Sequence, residues 1–250
     1  MTAESMTMSR RKIGDLDCAI VDGPGCDEQI DAVAVICHGF GAPGEDLVPC
    51  APQLYGAAES GLSNVRFVFP AAPIQMDPTG IYDSRAWWPL DMEKLQEIMQ
   101  SGGTRDLRQD RPEMLDKRNQ QLTDLIQAVV SEAGIGYQSV VLGGFSQGSM
   151  LATEVALALP ETVGGLIVWS GTLLSEEVWT ERAAGKSGLK VVQSHGRVDP
   201  ILPFVGAELL RDMLTEHGVE VEYVAFDGQH SIPQAAIAKA AELIESVAKK

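Results

Sequence analysis

Gly144-Phe145-Ser146-Gln147-Gly148 sets a serine between glycines. The run before it, Ser139-Val140-Val141-Leu142-Gly143, is apolar and reads as a buried strand. Residues 149–159 after it read as a helix that Pro160 stops. A G-x-S-x-G between strand and helix is the pattern of a tight turn. Such a turn holds its central serine in a strained backbone conformation and lifts the hydroxyl above the sheet edge, at a helix N-terminus. A hydroxyl so placed is a candidate acyl-transfer nucleophile, provided a base takes its proton and a third group orients that base.

The chain has four histidines, so the search for the base is short. His38 precedes the serine, on the loop after an early apolar run. His195 ends an apolar run at 190–194. His217 stands before Gly218 at the polar end of a helical pattern, where a cation would complement the helix dipole. His230 follows the run 220–226 in Asp227-Gly228-Gln229-His230-Ser231, on a loop at a strand's C-terminal end, where open α/β sheets place their ligands. For the acid, Asp199 leaves the strand 190–194 in His195-Gly196-Arg197-Val198-Asp199-Pro200, and Pro200 biases it towards extended geometry. A turn-forming carboxylate is the plain alternative. Asp227 is the rival acid, but it stands close in sequence to His230 instead of on a separate strand. The order Ser146, Asp199, His230 is that of α/β-hydrolase triads. Oxyanion donors, often worth about 3 kcal/mol each, are expected from two backbone amides. One is that of Gln147, after the serine. The other is that of Phe40, in the glycine-bearing loop His38-Gly39-Phe40-Gly41-Ala42, whose shape His38 would hold.

Strand patterns at 17–21, 32–37, 66–69, 139–143, 166–170, 190–194 and 220–226 alternate with helical patterns at 114–132, 149–159, 204–217 and 233–248. The middle strands are apolar nearly throughout, as in a parallel sheet buried on both faces. The expected fold is α/β, with a mostly parallel central sheet flanked by helices and one domain over residues 1–250. Residues 75–113 break the rhythm and read as an inserted lid-like segment, with a short helix expected at 91–99. Its adjacent Trp87 and Trp88 are candidate substrate-binding residues; packing of core or lid is the other use for them.

The 250 residues carry a net charge of −16, which argues against nucleic-acid binding. Four cysteines without a C-x-x-C pair suggest free thiols. The N-terminus shows neither a secretory signal nor a membrane span, so a cytoplasmic location without stable membrane insertion is expected. No cofactor and no metal are expected. The oligomeric state is open, a homodimer contact being one use for apolar lid residues.

Together, Cys37-His38-Gly39-Phe40-Gly41, Gly44-Glu45-Asp46-Leu47, Phe69-Pro70-Ala71-Ala72-Pro73, Leu142 to Gly148, Ser194-His195-Gly196 with Asp199-Pro200, and Gly228 with His230 resemble the phospholipase/carboxylesterase family. That family includes acyl-protein thioesterases and cytosolic lysophospholipases. The resemblance implies an α/β-hydrolase domain that hydrolyses carboxylic esters or thioesters without cofactor. It carries over Ser146, Asp199 and His230 as the triad and the Phe40 and Gln147 amides as the oxyanion hole. Ser149 departs from the second glycine usual there, and residues 78–113 are longer than in the thioesterases. The expected function is therefore a serine carboxylesterase acting on a small-molecule or lipid ester. A thioesterase or lysophospholipase for long acyl chains is the alternative. A catalytically silent binding protein of the same fold is the rival from another class.

Overall fold

A computed structural model describes residues 6–59, 61–90 and 106–249. Its frame is an eight-stranded sheet in the order β1-β2-β4-β3-β7-β8-β9-β10. The strands are β1 (Thr7–Ile13), β2 (Leu16–Asp22), β3 (Ala32–Cys37), β4 (Val65–Pro70), β7 (Val140–Phe145), β8 (Gly165–Trp169), β9 (Lys190–Gly196) and β10 (Glu220–Phe226). From β4 across to β10 all pairings are parallel, while β1 and β2 join antiparallel. A separate ribbon pairs β5 (Ile74–Gln75) with β6 (Arg85–Ala86).

Period-two patterning builds the layers. Along β3, Val33, Val35 and Cys37 enter one apolar cluster, and Ala32, Ala34 and Ile36 enter the other. The first cluster is closed by α2 (Leu115–Ala133), α3 (Gln147–Ala158), α4 (Glu176–Ala183) and α5 (Phe204–Glu216). The second is closed by α1 (Cys50–Ala57) and α6 (Gln234–Ala248). Helices on both faces of a mostly parallel sheet make this an α/β-hydrolase fold.

The N-terminal segment forms strand β1, although the first strand pattern in the sequence begins at residue 17. Six of the seven β1 residues are exposed, so no alternation marks it, and its order comes from the register Thr7↔Asp22 to Ile13↔Leu16. The helix expected at 91–99 lies outside the described residues. The four cysteines are free and buried. Burial pushes the Cys18 thiol up to about 12 and those of Cys26 and Cys50 to about 11, so they are poor nucleophiles.

Candidate active site

Parallel strands bring their C-terminal ends to one edge, and the loops leaving β3, β7, β9 and β10 meet there. At the end of β7 the chain turns into α3 through Ser146, whose φ of 53° and ψ of −120° suit glycine rather than a residue with a β-carbon. The turn is locked from both sides. The Ser146 amide donates to Trp169 O at 2.9 Å, and Ser146 O accepts from the Ser149 amide at 3.0 Å and the Ser149 hydroxyl at 2.7 Å. Ser149, where a glycine is usual, thus adds a bond to the turn. Gly148 is required by space: a β-carbon there would lie 2.2 Å from Cys37 O and 2.4 Å from His38 O.

The β9 loop carries Asp199 and the β10 loop carries His230. They are stitched by Arg197 N–H to Phe226 O at 2.9 Å and Val198 N–H to Gly228 O at 3.2 Å. His230 Nδ1 lies 2.6 Å from Asp199 Oδ2. Since the carboxylate accepts, Nδ1 carries the proton and Nε2 is left as the basic nitrogen. Phe145 packs on the imidazole at 4.7 Å between ring centres. The other carboxylate oxygen, Oδ1, accepts from the Ile201 and Leu202 amides at 2.8 and 2.9 Å. Burial alone would push the Asp199 carboxyl up. Hydrogen bonds from His195, His230 and the Leu202 amide outweigh burial and hold it well below the usual carboxylate range. Asp227, the rival acid, is 94% exposed and faces Arg197 at 3.5 Å.

Ser146, His230, Phe40 and Gln147 line one cavity of about 550 Å³, whose other walls are mostly apolar and include Trp88, Leu107, Met150 and Leu174. Gln147 opens α3, where first-turn amides lack intrahelical acceptors and the dipole favours negative charge. The loop with Phe40 is fixed by its neighbours: Gly41 N–H donates to Arg85 O at 2.8 Å, and Arg85 N–H to Ala42 O at 3.1 Å. Buried His38 accepts from the Ala72 amide at Nε2, 3.0 Å away, so its Nδ1 donates to Gly39 O at 2.8 Å. Burial lowers the His38 pKa despite the Gly39 bond, which favours this neutral form.

The two tryptophans separate. Trp88 lines the cavity, whereas Trp87 is fully buried and is not among the lining residues. As a correction to the substrate-binding expectation for Trp87, its indole donates to His38 O at 2.9 Å and its carbonyl accepts from Arg118 Nε at 2.6 Å. It buttresses the Phe40 loop from behind.

Sequence reading overlooked several contributors. The Gln147 side chain accepts from the Trp87 amide at 2.9 Å and donates to Trp88 O at 2.8 Å, tying one cavity wall to α3. Ser170, at φ 50°, donates its hydroxyl to Ser231 O at 3.1 Å and steadies the His230 loop. Fully buried Glu154 on α3 accepts from Trp179 Nε1 at 2.7 Å, Arg182 at 2.6 Å and Asn119 at 3.2 Å, with Arg111 at 3.5 Å. Arg111 itself lines the cavity. Gln147 stands in the serine motif, which marks its amide but not the task of its side chain; Ser170, Glu154 and Arg111 sit in no pattern that marks them in the sequence.

A strand–turn–helix serine, a carboxylate-bound histidine and an apolar cavity on this fold define the hydrolase class of α/β proteins. The family model for phospholipases and carboxylesterases matches residues 18–248, and the chain belongs to that family. Among curated relatives it is 29% identical over 197 residues to an acyl-protein thioesterase 1 of Eremothecium gossypii, covering 74% of this chain and 73% of that one. It is 28% identical over 191 residues to a probable carboxylesterase of Oryza sativa subsp. japonica, covering 76% of each. Among solved structures, esterase PE8 superposes with a TM-score of 0.74 at 22% identity over 96% of this chain and 99% of that one. A carboxylesterase from Mesorhizobium loti gives 0.72 at 15% identity over 95% and 98%. The chain is a carboxylic ester hydrolase of this family. No helix among the described residues is long and apolar enough to cross a membrane.

Proposed function

We propose that the protein is a serine carboxylesterase working through Ser146, His230 and Asp199. The observation that carries this reading is the 2.6 Å bond from His230 Nδ1 to a buried carboxylate, with His230 and Ser146 facing one cavity. Ser146 Oγ attacks the ester carbonyl carbon as its proton passes to His230 Nε2. The carbonyl oxygen becomes an oxyanion facing the amides of Phe40 and Gln147. Collapse breaks the bond to the leaving oxygen, which takes the proton from His230 and departs as the alcohol. Water then gives a proton to His230 Nε2 and attacks the acyl-enzyme; a second collapse returns that proton to Ser146 Oγ and releases the acid. Asp199 holds the imidazole in the tautomer that makes Nε2 the base throughout.

The apolar walls suit an acyl chain. Each methylene that leaves water for them contributes about 0.8 kcal/mol, so kcat/KM should rise about fourfold per added carbon until the chain outgrows the cavity. A C2 to C16 series of p-nitrophenyl esters reads that limit, and a profile flat from C2 would contradict an acyl site here. The named thioesterase relative supports the second reading, a thioesterase for long chains. Matched ester and thioester substrates separate the two, the second requiring a clear preference for thioesters beyond C12. Ser146→Ala should abolish turnover and fluorophosphonate labelling. Full activity in that variant would overturn the serine mechanism.

A further inference from the structure

The mechanism above leaves one buried titratable side chain beside the acid unused. His195 ends β9, is fully buried, and packs edge-on to Phe204 at 6.1 Å between ring centres. Its Nε2 stands 2.9 Å from Leu202 O and 3.3 Å from Asp199 Oδ2. Both partners are acceptors, so Nε2 carries the proton and donates. Its Nδ1 is buried without a hydrogen-bond partner among the described residues. An unpaired polar atom in the core opposes burial, so the Nε2 contacts must offset it. Leu202 is grasped at both ends: its amide donates to Asp199 Oδ1, and its carbonyl accepts from His195.

We propose that His195 is a positioning residue for the reaction: its Nε2–H fixes the Asp199 carboxylate and the turn that feeds it, so that Oδ2 points at His230. This rests on the assignment of Asp199 as the acid. The geometry gives it a distinct task. Oδ1 is held by two backbone amides, so the carboxylate could pivot about that anchor. Among the described residues, His230 bonds Oδ2 at 2.6 Å, and His195 Nε2, which donates to Leu202 O, stands 3.3 Å from the same oxygen. His230 moves a proton in every cycle and changes charge; His195 keeps a fixed N–H 3.3 Å from the same oxygen and holds the Leu202 turn beneath it. Without it, the carboxylate loses the partner that keeps it aligned when His230 is between protonation states.

The test compares His195→Gln, His195→Asn and His195→Leu on a soluble p-nitrophenyl ester, with thermal midpoints measured alongside. The Gln side-chain amide reaches the position of imidazole Nε2; that of Asn reaches only the position of Nδ1. The expected result is a loss in kcat of about 10- to 100-fold for Leu and Asn, with KM within about twofold. Gln should recover to within about fivefold of wild type, with matching changes in the rate of fluorophosphonate labelling. A purely structural histidine would lower the thermal midpoint in all three variants and leave the kcat of the folded protein alone; that result overturns the proposal. If Leu does not fold, the Gln–Asn pair decides: equal kcat in the two refutes it. Asp199→Asn is the control and should cost about 10⁴ in kcat. If Asp199→Asn is inactive while folded His195→Leu is fully active, the proposal alone falls. If Asp199→Asn is fully active, the acid assignment falls and takes the proposal with it.

Discussion

Replacing Ser146 by glycine should make the protein more stable than replacing it by alanine. At φ 53° and ψ −120° the residue occupies a region that glycine enters freely and a β-carbon resists, at a cost of about 1–3 kcal/mol. Ser146→Ala removes the hydroxyl but keeps the β-carbon, and so keeps the strain. Ser146→Gly removes both. Glycine also raises the entropy of the unfolded chain, which takes back about 0.5–1 kcal/mol. The difference between the two variants is then about 0–2.5 kcal/mol in favour of glycine, near 1 at mid-range. For a chain of this size each kcal/mol moves the thermal midpoint by about 2–4 °C. Ser146→Gly should therefore melt roughly 2–4 °C above Ser146→Ala at mid-range and at most about 10 °C above it, with both inactive. Scanning calorimetry on the two proteins, side by side at one concentration, measures it. A glycine variant that melts below the alanine variant would show that the turn does not store this strain, and the account of the elbow would be wrong.

Gly148→Ala should abolish activity even if the protein folds, because a β-carbon 2.2 Å from Cys37 O forces α3 away from the β3 loop by about an ångström; ester turnover and labelling of Ser146 check this. Asp227→Asn should leave kcat within about twofold of wild type, since that carboxylate is exposed and apart from His230; a loss near that of Asp199→Asn would exchange the two assignments. Glu154→Leu leaves Arg111 and Arg182 without their buried acceptor. It should cost about 2–4 kcal/mol in denaturant unfolding, less than a fully buried pair because both guanidinium groups reach solvent. His38 has a folded pKa depressed below 6.5, so the unfolded chain binds the extra proton first. Its contribution to stability is full above pH 6.5 and is lost as pH falls below it; melts from pH 7.5 to 5 should show this slope in wild type and a shallower one in His38→Gln.

What could be read in the sequence divides by the range of the forces involved. The strands 32–37 and 220–226 fall where the apolar runs place them, and α2, α3, α5 and α6 lie within two residues of their patterns. There, local periodicity and burial agree. β1 escapes because its partner is on one side only and its side chains face water. α1 and α4 escape because they are short, and an eight-residue helix shows little more than two turns of pattern. The loops that meet at the sheet edge were legible through spacing and order. The bonds that fix them were not: the Gln147 side chain on the Trp87–Trp88 backbone, Ser170 on Ser231, and His195 on Leu202 all join residues with no shared local pattern. Trp87 shows the same gap from the other side, for an aromatic in a loop gives no sign of whether it faces a cavity or supports one.

Two of the overlooked side chains, Gln147 and Glu154, stand on one helix. Helix α3 presents Ser146 at its start, and through Gln147 in its first turn it grips the wall that carries Trp88. One turn further on, Met150 enters the cavity itself, and Glu154 holds Arg111 on the returning end of the 75–113 segment. A rigid helix fixes the relative position of everything bonded to it, so the depth of the cavity and the placing of the Ser146 hydroxyl are set together. Substitutions in the walls that leave Gln147 and Glu154 paired should therefore change which chain lengths are accepted. Substitutions that break either pair should also lower the rate on the smallest esters, which touch the walls least. Specificity and chemistry separate in this protein only as far as α3 allows.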